Sequence, residues 1–111
     1  MTTDSGNTGT TVYGHRHLGV FFRPVVAVDD SGFQYRGSRY DWKDVTSVDV
    51  HELVNLGTAR FRATVKLADG VKIRLNGRAL EKQGVKPAVG FISTRTDAFD
   101  ELITRFEQHA A

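Results

Sequence analysis

Alternation of apolar and polar residues is most regular over Arg60-Phe61-Arg62-Ala63-Thr64-Val65-Lys66-Leu67, where Phe61, Ala63, Val65 and Leu67 share one face and the polar residues share the other. A period of two is that of a strand with one face buried and one in water. Val71-Lys72-Ile73-Arg74-Leu75 alternates in the same way. Aligning the two apolar faces requires an odd number of loop residues, which predicts a three-residue turn, Ala68-Asp69-Gly70, with Gly70 left-handed. A two-residue Asp-Gly turn would instead set Leu67 opposite Lys72.

The same parity pairs Val25-Val26-Ala27-Val28 with Phe33-Gln34-Tyr35-Arg36 across the loop Asp29-Asp30-Ser31-Gly32, placing Val28 opposite Phe33 and Val26 opposite Tyr35. Gly37-Ser38 is then expected to turn the chain towards Tyr40 and Trp42. At the C-terminus the period changes. Phe99, Leu102, Ile103 and Phe106 recur at i, i+3, i+4 and i+7, which predicts an amphipathic helix capped by Thr96 or Asp97. Asp97, Asp100 and Glu101 suit the positive end of its dipole, and Glu101 is spaced to pair with Arg105. Between strands and helix, residues 78–83 are expected to form a short helical turn ended by Gly84, and Val89 to Ile92 a last strand. The predicted core is Phe33, Tyr35, Trp42, Phe61, Val65, Ile73, Phe99, Leu102, Ile103 and Phe106.

Residues 1–11, rich in Thr, Ser, Gly and Asn, read as a flexible tail, and residues 12–111 as a single domain. A composition of 40% hydrophobic and 25% charged residues is that of an ordinary globular chain. The absence of cysteine excludes disulfides, thiolate metal sites and thiol nucleophiles. The longest apolar run, Leu18 to Phe22, is far too short for a bilayer span, and the N-terminus lacks a basic region followed by an apolar one. A cytoplasmic location is therefore expected.

A net charge of +2 conceals an uneven distribution: residues 60–95 carry nine basic and two acidic groups, whereas 96–111 carry one and four. The predicted register gathers Arg60, Arg62, Lys66, Lys72 and Arg74 on the solvent face of the 60–76 hairpin, with Lys66 directly opposite Lys72. Like charges opposed across strands cost about 0.2 to 1 kcal/mol, which an acidic partner, a nucleic-acid backbone or the chain's own acidic helix could offset. The plainer reading is that long basic side chains solvate the sheet and discourage edge pairing.

The stretch Tyr40-Asp41-Trp42-Lys43-Asp44-Val45, set between hairpins and a terminal helix, resembles the hydrophobic-x-Trp-x-Asp-hydrophobic stretch that leads into a middle strand of bacterial pleckstrin-homology-like domains. The resemblance covers roughly Val20 to His109. It implies an α+β, mainly β fold: a barrel of two near-orthogonal antiparallel sheets, about seven strands, capped by the C-terminal helix. Relatives that bind phosphoinositides place Lys and Arg around the first hairpin loop. Here Asp29 and Asp30 stand in that loop and would repel a phosphate, so that site is not carried over.

Other constellations reduce to plainer readings. His15 and His17 share a strand face and could meet His51 at a metal, but two surface imidazoles account for them. Gly32 to Arg39 copies the glycine spacing of a phosphate loop but has Ser-Arg where Lys-Ser or Lys-Thr is required. Asp41 and Asp44 are placed to cap backbone amides rather than to act as an acid-base pair. No catalytic residue, cofactor or metal is expected. The functional expectation is a non-catalytic binding or assembly module whose basic hairpin meets an acidic protein surface or another copy of itself. Membrane or nucleic-acid attachment through the same charges is the alternative, and an unrecognised enzyme the third.

Overall fold

The computed structural model describes residues 9–17, 20–55, 58–77, 79–85 and 96–110, with 53–55 and 58–60 described by their backbone. In chain order they form β1 (Thr11–His17), β2 (Phe21–Val28), β3 (Gly32–Tyr35), β4 (Ser38–Asp41), a 3-10 turn (Trp42–Asp44), β5 (Val45–Asn55), β6 (Thr58–Leu67), β7 (Lys72–Asn76), β8 (Glu81–Lys82) and α1 (Asp97–His109). The strands make two antiparallel sheets, ordered β4-β3-β2-β1-β8 and β5-β6-β7. Eight strands are thus described, one more than the expected seven, because β8 adds a two-residue edge.

Both hairpin parities hold. Val26 lies opposite Tyr35 and Val28 opposite Phe33, and the Asp29 carboxylate closes the loop by accepting from the backbone N–H of Ser31 and Gly32 at 2.9 and 3.0 Å. In the β6–β7 hairpin Val65 faces Ile73 and Lys66 faces Lys72, and Gly70 is left-handed with φ 90°. The turn into β4 falls one residue earlier than expected. Arg36 and Gly37, rather than Gly37-Ser38, occupy it, with φ 51° and 81°, and Tyr35 pairs with Ser38. Two left-handed residues give the hairpin the twist of its strands, which outweighs the cost of that conformation at a non-glycine position.

The segment before α1 differs more from expectation. Glu81 and Lys82 are extended rather than helical, because the backbone of Gly14 and Tyr13 offers them ladder partners, a pairing continued by the Gln83 N–H on the Val12 carbonyl at 2.8 Å. Gly84, expected to end a helical turn, instead follows this strand in a left-handed conformation, with φ 82°. The strand expected at Val89 to Ile92 lies outside the described residues.

The inner faces of both sheets and the apolar stripe of α1 meet in one core. Phe33, Trp42, Val65, Ile73, Phe99, Leu102, Ile103 and Phe106 are buried as expected. Tyr35 and Phe61 are instead half-buried at its margin. Tyr35 keeps its polar end outward, its hydroxyl donating to the Arg74 carbonyl at 3.2 Å. Phe61 stands opposite Glu52, where the inner face gives way to a charged residue. Tyr13 and Leu80, absent from the expected set, are fully enclosed.

Trp42 joins three parts of the chain. Its indole N–H donates to the Asp29 carbonyl at 2.7 Å, its ring stacks on His109 with centroids 4.3 Å apart, and it meets Phe106 edge-on at 5.3 Å. The helix start is tied down at Thr96, whose hydroxyl accepts from the Phe99 N–H at 3.2 Å and donates to the Leu80 carbonyl at 2.7 Å. Asp41, expected to cap, makes no side-chain capping bond at the 3-10 turn; its carboxylate lies 3.9 Å from Lys43 instead.

Candidate functional site

Alternation along β6 and β7 carries Ala63, Val65, Ile73 and Leu75 into the core, which turns Arg62, Lys66, Lys72 and Arg74 outward, where all four are exposed. Arg60 pairs with Leu53 through the backbone, and its side chain lies outside the described residues. The register makes one surface of the others. Lys66 faces Lys72, Thr64 faces Arg74, and on the other flank β5 places His51 beside Arg62, Asp49 beside Thr64 and Ser47 beside Lys66. Among the described residues Asp49 is the one carboxylate paired with this face, 4.0 Å from the Lys66 ammonium, with both side chains about half exposed. A pair that long and that wet offsets little of the repulsion. The turn carboxylate Asp69 is occupied locally, accepting from the Val71 N–H at 3.0 Å.

Among the described residues the chain's own helix makes no ion pair with the basic face. Glu101 accepts from the Tyr13 hydroxyl at 2.5 Å and from Lys82 at 2.9 Å, and Arg105, expected to pair with it, acts on it only through its charge, without a close ion pair. Arg105 turns instead towards Asp30, at 3.7 Å, and over the Trp42 ring, at 5.9 Å. Burial pushes the Glu101 carboxyl up, but its bonds from Tyr13 and Lys82 outweigh burial and hold it below the usual range. The Tyr13 hydroxyl is pushed far above its ordinary value, first by burial and then by Glu101.

The loop Asp29 to Gly32, expected to be the first hairpin loop, is the second, because β1 and β2 already form a hairpin before it; it is neutralised from within. Arg39 clamps the Asp29 carboxylate with two bonds, of 2.7 and 2.8 Å, and this holds the carboxyl well below the usual range. The loop offers a phosphate no cluster of free cations. His15 and His17 lie on β1 and His51 on β5, in different sheets. Among the described residues no three histidines or carboxylates gather to hold a metal. A shallow depression on α1, lined by Asp100, Glu101, Thr104, Arg105 and Gln108, opens broadly to solvent.

One exposed feature carried no weight in the chain's patterning. Val20 and Phe21, 66% and 64% exposed, stand at the end of the β1–β2 hairpin, where Arg16 pairs with Glu81 at 3.0 Å. Their membership of the longest apolar run was the available signal. No helix among the described residues is long and apolar enough to cross a membrane. No protein family, curated protein or solved structure matches the chain.

Proposed function

We propose that the chain is a non-catalytic, pleckstrin-homology-like binding module that engages an acidic protein surface through the outer face of β5, β6 and β7. The observation that carries this reading is the exposed opposition of Lys66 and Lys72, flanked by Arg62 and Arg74, with, among the described residues, a single distant carboxylate to offset them. An opposition that weakens the free domain is relieved when an anionic surface covers it. The family reading is supported by the element order, two antiparallel sheets followed by a helix whose apolar face enters their core. It is supported too by Tyr40 to Val45, which carries the chain from one sheet to the other. The face presents no Phe, Tyr or Trp ring for stacking bases, since Phe61 lies on the inner parity, and its one imidazole, His51, stands on the edge strand β5 beside Arg62; this favours a protein partner over single-stranded nucleic acid.

The test is the paired substitution Arg62→Glu with Arg74→Glu. Both positions are exposed, so stability should stay within about 1 kcal/mol of the parent. The parent, immobilised, should retain acidic protein from a nuclease-treated extract at low salt and release it at high salt, and the variant should retain none. Retention of lipid or nucleic acid alone would replace this reading with electrostatic attachment to those polymers, and equal retention by the variant would remove the face from consideration.

A further inference from the structure

We infer that the acidic surface recognised by this face is the outward side of α1 in a second copy of the chain, so that copies assemble head to tail. The inference rests on the basic-face reading and names its partner. The outward side of α1 exposes Asp97, Asp100, Glu101 and Glu107, with Glu101 already meeting Lys82 of its own copy, and its arginine, Arg105, is half-buried and turned to Asp30. The two charged surfaces match in length. From Asp97 to Glu107 the helix rises about 15 Å at about 1.5 Å per residue, while Arg62 to Lys66 spans about 13 Å at about 3.3 Å per residue. The four cations lie on two neighbouring strands, β6 and β7, a width of about 5 Å that one helix about 10 Å across can cover.

Within one copy the two surfaces do not meet. The buried stripe of α1 and the inner parity of β6 and β7 share a single core, so the charged sides of both point out of it. Among the described residues no ion pair joins α1 to Arg62, Lys66, Lys72 or Arg74. Because the two patches are different surfaces of the same chain, the contact is heterologous: each copy offers a face to one neighbour and a helix to another, and assembly closes into a ring or continues as a filament. Exposed ion pairs are individually weak and screened by salt. Assembly should therefore depend steeply on protein concentration and ionic strength.

Light scattering on the full chain, with two charge-reversed variants, tests this. One variant carries Arg62→Glu and Arg74→Glu on the sheet. The other carries Glu107→Lys and Gln108→Lys on the helix, both exposed in its last turns, where added cations suit the dipole. Circular dichroism confirms that each is folded. The parent should rise in mass with concentration at low salt and return at high salt to the 12.3 kDa of one chain. Each variant alone should stay at the single-chain mass, because its altered surface keeps cations and carboxylates in near balance and no longer attracts its counterpart, and an equimolar mixture should rise to the mass of a pair, because the unaltered sheet of one variant meets the unaltered helix of the other. A parent that stays monomeric at low salt overturns the inference while leaving retention of a foreign acidic protein intact. Assembly of either variant alone, or a mixture that stays monomeric, overturns it as well.

Discussion

Replacing Trp42 by alanine removes the ring that holds the β2–β3 loop, the sheet-to-sheet turn and the end of α1 together. The side chain is 5% exposed and touches Phe33, Phe106 and His109 at centroid distances of 5.2, 5.3 and 4.3 Å. A buried tryptophan withdraws about 200 Å² from water, which at about 25 cal/mol per Å² is about 5 kcal/mol. Alanine recovers part of this, the remaining cavity adds to the loss, and core truncations of this kind cost about 3 to 5 kcal/mol. The lost indole N–H bond to Asp29 adds about 1 kcal/mol at most, since that loop can be reached by water. With about 4 to 8 °C of melting temperature per kcal/mol in a domain of this size, the midpoint should fall by at least about 12 °C. Thermal melts followed by far-ultraviolet circular dichroism read the shift, since the substitution removes the sole tryptophan. Trp42→Phe, which keeps a ring but not the N–H, should lie much nearer the parent. A midpoint for the alanine variant within about 4 °C of the parent would refute the packing account, and equal losses for both variants would transfer the weight to the hydrogen bond.

Glycine tolerance separates close approach from backbone strain. A methyl group at Gly14 would lie 2.1 Å from the Arg23 carbonyl oxygen, whereas one at Gly70 meets nothing but inherits a φ of 90°. In urea unfolding Gly14→Ala should lose more than about 2 kcal/mol and Gly70→Ala about 1 kcal/mol, and the reverse order would show that the β1–β2 backbone can part. Burial and Glu101 favour the neutral Tyr13 hydroxyl in the folded chain. The stability this gives is fully present below about pH 10, the unfolded value, and is lost as pH rises above it. Tyr13→Phe should flatten that alkaline decline, and an unchanged decline would assign it to other groups.

What could be read from the chain was local. The β2–β3 and β6–β7 registers follow from side-chain parity and turn chemistry within a dozen residues, and the helix face and its Thr96 cap follow from period alone. The basic face was legible for the same reason, since a strand with an apolar inner parity has its outer parity fixed. What escaped was long-range competition. Glu101 is spaced for Arg105, but Tyr13 and Lys82 reach it from β1 and β8, and Arg105 is drawn to the exposed Asp30 of the β2–β3 loop. Residues 81–82 have no period to reveal a strand and become one because β1 offers an open edge. Tyr35 and Phe61 look like core by type and parity, yet their depth depends on how far the opposite layer extends.

The pairing of β1 with β8, and of Tyr13 with Glu101 across 88 positions, bears on how the chain emerges from the ribosome. The β5–β6–β7 meander is built from neighbours in sequence and can pair during synthesis. The N-terminal sheet cannot be finished then, because its last edge strand and the carboxylate that receives the Tyr13 hydroxyl follow that meander in the chain. The nascent chain must hold β1 with one edge open until β8 leaves the exit tunnel, and that interval is when a chaperone would protect it most.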